Sequence, residues 1–253
     1  MIGSLENKME KNFKWYCENY EDTEACNESV IVDFTNGTNS NPKIKAHRDL
    51  IEKARIESNV NLGHGDRSLQ YMWKILVDEM PNEFKFLEIG VYKGQILSLM
   101  ELLTKEANKK SSIVGVTPLY DAAFAEYDRM PYIKYLYQAN NLTMDNTIVH
   151  DGFSQNADII KKVYEEGPYD MIYIDGDHSY EATVLDINNF DSCLKNGGFM
   201  IVDDASDFIK LPPHRFKGIV DVSRAVQDTL EKNNKYKNVL NCMHVRIFKK
   251  EEK

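Results

Sequence analysis

FKFLEIGVYKGQILSLMELL runs from Phe84 to Leu103 and changes its period in the middle. FKFLEIG (84–90) is a short, mostly apolar run, the pattern of a buried strand. QILSLMELLTKEA (95–107) carries its apolar residues at helical spacing. Between them, Gly90 and Gly94 permit a tight turn and close backbone approach to a ligand, and the helix that follows offers its N-terminus to partial negative charge. The turn lacks the GKS or GKT ending of a P-loop. Tyr92 stands where a dinucleotide fingerprint has its second glycine. Chemistry alone leaves an ordinary strand-to-helix connection equally open, but Glu88 sits at the strand's end among the turn amides.

The same alternation continues downstream. SIVGVTP (112–118), TIVHD (147–151), YDMIYID (169–175) and GGFMIVDD (197–204) read as strands, and NVLNCMHVRIFK (238–249) as a strand or hairpin. Helical patterns at 157–167, 179–195 and 221–232 separate them, with a helical or irregular stretch at 121–138. Strands alternating with helices predict an α/β fold with a doubly wound, mostly parallel sheet, which binds ligands outside the carboxyl ends of its strands. Upstream, helical spacing recurs over 44–54 and 68–80, on either side of the glycine-bearing loop NLGHGDRS (61–68). Residues 1–45 are polar and turn-rich, with TNGTNSNP at 35–42, and are expected to be loosely structured. The expected division is a partly helical N-terminal extension, 1–60, and a main domain, 61–253.

The chain's 253 residues are enough for a full α/β core. The net charge of −9, with no basic run longer than two residues, argues against a nucleic-acid partner. No apolar stretch has the length of a membrane span, and the N-terminus lacks the apolar core of a secretory signal. Four scattered cysteines, Cys17, Cys26, Cys193 and Cys242, form neither a zinc pattern nor a disulfide framework, which suits free thiols in a reducing cytoplasm.

Two strand ends carry concentrated acid: IDGDHSYE (174–181) and IVDDAS (201–206). Adjacent strands lie about 4.8 Å apart, so Asp175, Asp203 and Asp204 converge if their strands are neighbours. Three close anions repel one another unless a cation neutralises them, and a hard divalent ion with oxygen ligands, Mg²⁺ above all, suits that set. Competing roles are open to the same residues: Asp177 or Ser179 as N-cap of the next helix, Asp203 and Asp204 as turn caps, Asp151 as a strand-end cap. His178, whose imidazole is half neutral near physiological pH, is the candidate base, with Asp177 the alternative.

FLEIGVYKGQILSLM, taken with IDGDH and IVDDAS, resembles class I S-adenosylmethionine-dependent methyltransferases, specifically the branch of macrocin-type sugar O-methyltransferases and cephalosporin-hydroxylase-like proteins. The resemblance spans roughly residues 60–204. It implies a Rossmann-like, seven-stranded-type sheet, with Glu88, Gly90, Val91, Tyr92 and Gly94 around the methionine part of S-adenosylmethionine and Asp175 also beside the cofactor. It places Asp151, Ser154 and Gln155 near the adenine. In VGVTPLYD, Thr117 stands where such enzymes carry an acidic ribose ligand, leaving Thr117 or Asp121 for that contact. It assigns Asp175, Asp203 and Asp204 to Mg²⁺ and the proton transfer to His178 or Asp177. The implied activity is methyl transfer to a hydroxyl of a sugar or sugar nucleotide, by a cytoplasmic enzyme with no membrane partner, monomeric or homo-oligomeric. The alternatives are a different small-molecule hydroxyl, such as a catechol-like phenol, and an inactive cofactor-binding accessory protein.

Overall fold

The computed structural model describes residues 11–20, 22–120 and 128–251. Seven strands form one sheet: β1 (Glu83–Ile89), β2 (Lys110–Thr117), β3 (Thr147–Asp151), β4 (Tyr169–Ile174), β5 (Leu194–Val202), β6 (Tyr236–Cys242) and β7 (Val245–Lys250). Their order is β3-β2-β1-β4-β5-β7-β6, parallel from β3 to β5, with β7 antiparallel to both β5 and β6. This is the doubly wound, mostly parallel α/β sheet that the alternation predicts. The order reverses direction after β1, and the strand ends of β1, β4 and β5 lie side by side there.

Central strands are buried on both faces, and their side chains alternate between two cores. In β4, Met171 and Tyr173 join one cluster, while Ile172 and Ile174 join the other. The first cluster lies under α1 (Phe13–Asn19), α2 (Glu28–Ser40), α4 (Arg67–Glu79), α5 (Gln95–Glu106) and α6 (Met130–Ala139). The second lies under α7 (Ala157–Glu166), α8 (Tyr180–Phe190) and α9 (Val220–Val226). Trp73 of α4 meets Phe86 and Tyr173 edge-on, with ring centroids 5.8 and 4.9 Å apart, and so locks that helix over β1 and β4.

The N-terminal region departs from its expected looseness. TNGTNS continues α2 to Ser40, and Asn41 then caps α3 (Pro42–Ser58), accepting from the Lys43 and Ile44 amides. Two contacts override the turn-forming composition. Val30, Ile31, Phe34 and Thr38 recur at helical spacing and are buried. Gly37 lies so close to the Tyr71 ring that a Cβ there would come within 2.4 Å of it. This glycine is a packing contact rather than a breaker. Phe13, Tyr16, Val30, Ile31 and Phe34 belong to the same core cluster as the sheet residues. The hairpin alternative for 238–249 is the one found, as β6 and β7. Among the described residues no helix is long and apolar enough to cross a membrane, and all four cysteines are free.

Candidate active site

Sheet register decides which side chains meet. Glu88 pairs with Tyr173, Tyr173 with Ile201, and Ile174 with Val202. One step beyond, the Asp203 amide donates to Ile174 O at 3.0 Å and the Asp175 amide to Ile89 O at 2.8 Å. Asp175 and Asp203 therefore continue the side-chain parity of Glu88 and Tyr173 past the strand ends. The sheet brings these two aspartates together beside the glycine turn. Asp204 follows in a left-handed conformation, φ 53°, and Gly218 passes so close that a Cβ would lie 2.2 Å from Asp204 O. Only glycine fits that crossing.

Burial and like charge act on the whole group. Glu88 is 1 % exposed, and its Oε2 has no hydrogen-bond partner. Burial first, then the Asp175 and Asp203 charges, push its carboxyl far above the ordinary range. The buried Tyr173 hydroxyl donates to Asp175 Oδ2 at 3.4 Å and is itself driven upward by burial and by Asp175 and Asp203. Asp203 rises to about 6 through burial and then the Asp175 charge. Asp175 and Asp204 rise for the same first reason.

Imidazoles partly answer these anions. His178 Nε2 lies 3.5 Å from Asp175 Oδ1 and 3.6 Å from Asp204 Oδ2, and the contact with Asp175 raises its pKa. His244, which sequence reasoning missed, places Nε2 3.4 Å from Asp203 Oδ1. One donor atom each from Asp203, Asp204 and His244 lie within 4.8 Å of one another. A lone histidine at a hairpin tip has no periodic or motif signal, so only the fold reveals it.

Around the glycine turn, Gly90 adopts φ 93°, and a Cβ on it would come within 1.8 Å of Asp175 O. Its freedom serves the close crossing of the β1 and β4 ends. Val91 is buried against Gly115, and Tyr92 is held at φ 50° with the Arg129 guanidinium 5.5 Å from its ring. Gly94, at φ 86°, caps α5 without a side-chain hydrogen bond. Thr117 is buried at the end of β2 and accepts from Arg129 Nη1 at 3.3 Å. Asp121 lies outside the described residues. Asp151 ends β3 and accepts from the Leu119 amide at 2.9 Å.

Ser154 and Gln155 both donate to Asp186 Oδ1, at 2.6 and 3.0 Å. Asp186, another residue that the sequence did not single out, is buried on α8, and burial pushes its carboxyl up to about 6. The loop after β3 is thereby tied to α8. Asp177 Oδ1 accepts from the Ser179 amide at 2.8 Å, and Ser179 Oγ caps α8 through the Ala182 amide at 3.3 Å. Both therefore serve the helix start, while His178 between them turns to the cluster.

Two loops are pinned nearby. Arg48 donates to His64 O and Gly65 O at 3.1 and 2.6 Å, fixing the loop of Gly63 and His64, and the His64 ring lies 6.1 Å from that of Tyr92. Arg215 meets Glu28 at 3.3 Å and Asp66 at 3.7 Å, drawing the 205–218 loop against α2 and the start of α4. The arrangement has the chemistry of a receptor for cations. The unpartnered oxygens of Glu88 and Asp203 fit a cationic sulfonium or ammonium group beside Glu88, and a divalent ion at the aspartates.

Comparison with known proteins agrees with this architecture. Residues 87–205 match the family described as a methyltransferase domain, which takes in Glu88, the glycine turn, Asp175, Asp203 and Asp204. An O-methyltransferase from Bacillus cereus, solved in complex with S-adenosylhomocysteine, superposes with a TM-score of 0.61 at 12 % identity, over 88 % of this chain and 99 % of its own. The TDP-rhamnose 3′-O-methyltransferase of calicheamicin biosynthesis gives 0.54 at 15 % identity, over 83 % and 95 %. An uncharacterized protein of Acanthamoeba polyphaga mimivirus is 25 % identical over 140 residues, 53 % of this chain and 59 % of the viral protein's length. The chain has the class I methyltransferase fold.

Proposed function

We propose that this protein, whose residues 87–205 match a methyltransferase-domain family, is an S-adenosylmethionine-dependent O-methyltransferase that uses a divalent cation to methylate a hydroxyl of a sugar or sugar nucleotide. The observation that carries the reading is the meeting of Glu88, Asp175, Asp203 and Asp204 at one sheet edge, with His178 Nε2 within 3.6 Å of both Asp175 and Asp204. A fold has no structural use for four converging carboxyls raised by burial and mutual repulsion, whereas cationic ligands relieve all of them.

In this reading Glu88 and the Gly90–Gly94 turn hold the charged amino-acid end of the cofactor, and Thr117, Asp151 and Ser154 line the side of its nucleoside. Asp175, Asp203 and Asp204 are the metal ligands. When bound, the ion lowers the pKa of the acceptor hydroxyl, and the sulfonium supplies an electrophilic methyl group. His178 accepts the hydroxyl proton at Nε2, and the Asp175 and Asp204 carboxylates, 3.5 and 3.6 Å from that nitrogen, steady the imidazolium that forms. Asp177 is the weaker candidate base, because its Oδ1 is engaged by the Ser179 amide. The buried Tyr173 hydroxyl supports Asp175, and proximity of two bound reactants supplies much of the acceleration. The sugar acceptor is supported by the motif resemblance and by the TDP-rhamnose enzyme among the structural neighbours. Residues 61–253 are the catalytic unit in this scheme and 1–60 an N-terminal extension whose helices α1, α2 and α3 pack on it, in a cytoplasmic protein whose four thiols stay reduced.

The test is radiolabelled methyl transfer from S-adenosylmethionine to parallel panels of sugar nucleotides and catechols, with S-adenosylhomocysteine binding followed by calorimetry. Transfer to a sugar nucleotide that EDTA and Asp203→Ala each abolish, with cofactor binding retained, is the expected result. Transfer to catechols alone overturns the sugar acceptor. Full activity in EDTA overturns the metal. Binding without transfer to either panel points to an accessory role.

A further inference from the structure

We infer that His244 is itself a ligand of the proposed metal centre, adding an imidazole nitrogen to the aspartate oxygens and tuning the site toward a first-row transition ion such as Fe²⁺, Co²⁺ or Zn²⁺ rather than Mg²⁺. The inference rests on the metal reading above and goes beyond it, since the strand-end motifs supply only oxygen ligands.

The hairpin between β6 and β7 turns through Met243 and His244, with Cys242 paired to Val245. Three features fix its tip. Met243 is left-handed at φ 55°. Its amide donates to Cys26 Sγ at 3.2 Å. His244 O accepts from the Ala205 amide at 2.8 Å, directly after the aspartate pair. His244 is 7 % exposed, and the Phe216 ring packs edge-on against its imidazole with centroids 5.3 Å apart. Nε2 stands 3.4 Å from Asp203 Oδ1, an oxygen that is buried and without a hydrogen-bond partner. Buried polar atoms without partners are rare in native proteins and call for an explanation, of which a bound ion is one. Neighbouring ligand atoms on an octahedral ion lie about 3 Å apart, close to the separation seen here. Imidazole nitrogen favours Fe, Co, Ni and Zn, whereas all-carboxylate sites suit Mg and Ca, so one histidine in the set changes the order of preference.

Metal-free wild type, His244→Gln, His244→Phe and Asp203→Asn, each checked for folding by circular dichroism, are titrated calorimetrically with MgCl₂ and CoCl₂. Mn²⁺ serves as a probe for pulsed electron paramagnetic resonance. We expect Co²⁺ to bind wild type at least about tenfold more tightly than Mg²⁺. Both His244 variants should lose most of that preference with little change for Mg²⁺, and the ¹⁴N modulation of bound Mn²⁺ should disappear in them. If one variant misfolds, the other carries the comparison. Equal loss for both ions, or Mn²⁺ bound without nitrogen coupling in wild type, overturns His244 as a ligand. Should Mg²⁺ bind wild type and fail on Asp203→Asn while nitrogen coupling is absent, this inference falls and the metal reading stands. Absence of any divalent binding to wild type overturns both.

Discussion

Two buried charged regions of this molecule are built on opposite plans. Under the N-terminal helices, Arg48 is 2 % exposed and its guanidinium is committed throughout, to Glu52, His64 O and Gly65 O. Arg67 joins Asp49 and Glu52 in the same network. Signs alternate there. Burial alone would raise the Glu52 carboxyl, but Arg48 and Arg67 outweigh it and leave it below its ordinary value. At the carboxyl edge of the sheet the signs repeat: Glu88, Asp175, Asp203 and Asp204 are all acidic and all raised. A buried network whose charges cancel within the chain is scaffold. One that cancels only when something else arrives is a receptor.

The sharpest break of this contrast is at the receptor. His178→Ala should lower the turnover of methyl transfer by about 10²–10⁴-fold while leaving S-adenosylhomocysteine affinity nearly unchanged, read by radiometric assay and calorimetry. An equal loss of cofactor affinity would assign His178 to binding instead. At the scaffold, Arg48→Ala removes one of the two cations that hold Glu52 and releases the loop carrying His64. The expected cost is about 3–5 kcal/mol, measured by urea unfolding.

A smaller effect tests burial without charge compensation. His47 is fully buried on α3, bonded to Ser98 of α5 at 2.9 Å, and burial holds its pKa near 4. The unfolded chain therefore binds a proton below about pH 6.5 that the folded protein refuses until about pH 4. Stability should fall as pH drops across that window, by about 3 kcal/mol from this group, and His47→Gln should flatten the slope. Asp186 has the opposite sign. Its folded pKa of about 6 exceeds the unfolded value, so its cost to stability develops as pH rises from about 4 through 6. Asp186→Asn should stabilise the protein by about 1 kcal/mol at pH 8 and leave it unchanged at about pH 2, because the carboxyl is protonated there in both states.

Sequence by itself determined the alternation of strand and helix, the glycine turn after FLEI, and the two acidic strand ends. Each is a local pattern: side-chain period follows from backbone geometry, and charge at the end of an apolar run is visible without knowing its neighbours. TNGTNSNP misleads for the converse reason. Its composition favours turns, but helix α2 is held by the tertiary contacts of Phe34 and of Gly37 with Tyr71. Composition likewise gave no warning that the Ser154 hydroxyl is engaged by Asp186, thirty-two residues away. Only the tertiary structure decided that Asp175 and Asp203 fall on one face beside Glu88, because that depends on the pairing of β4 with β1 and β5. It alone set His244 against Asp203, since the two meet only where the β6–β7 hairpin folds back beside β5. Short-range periodicity is written in the chain, whereas strand order and register are settled by burying two cores at once, and the candidate site is a product of register.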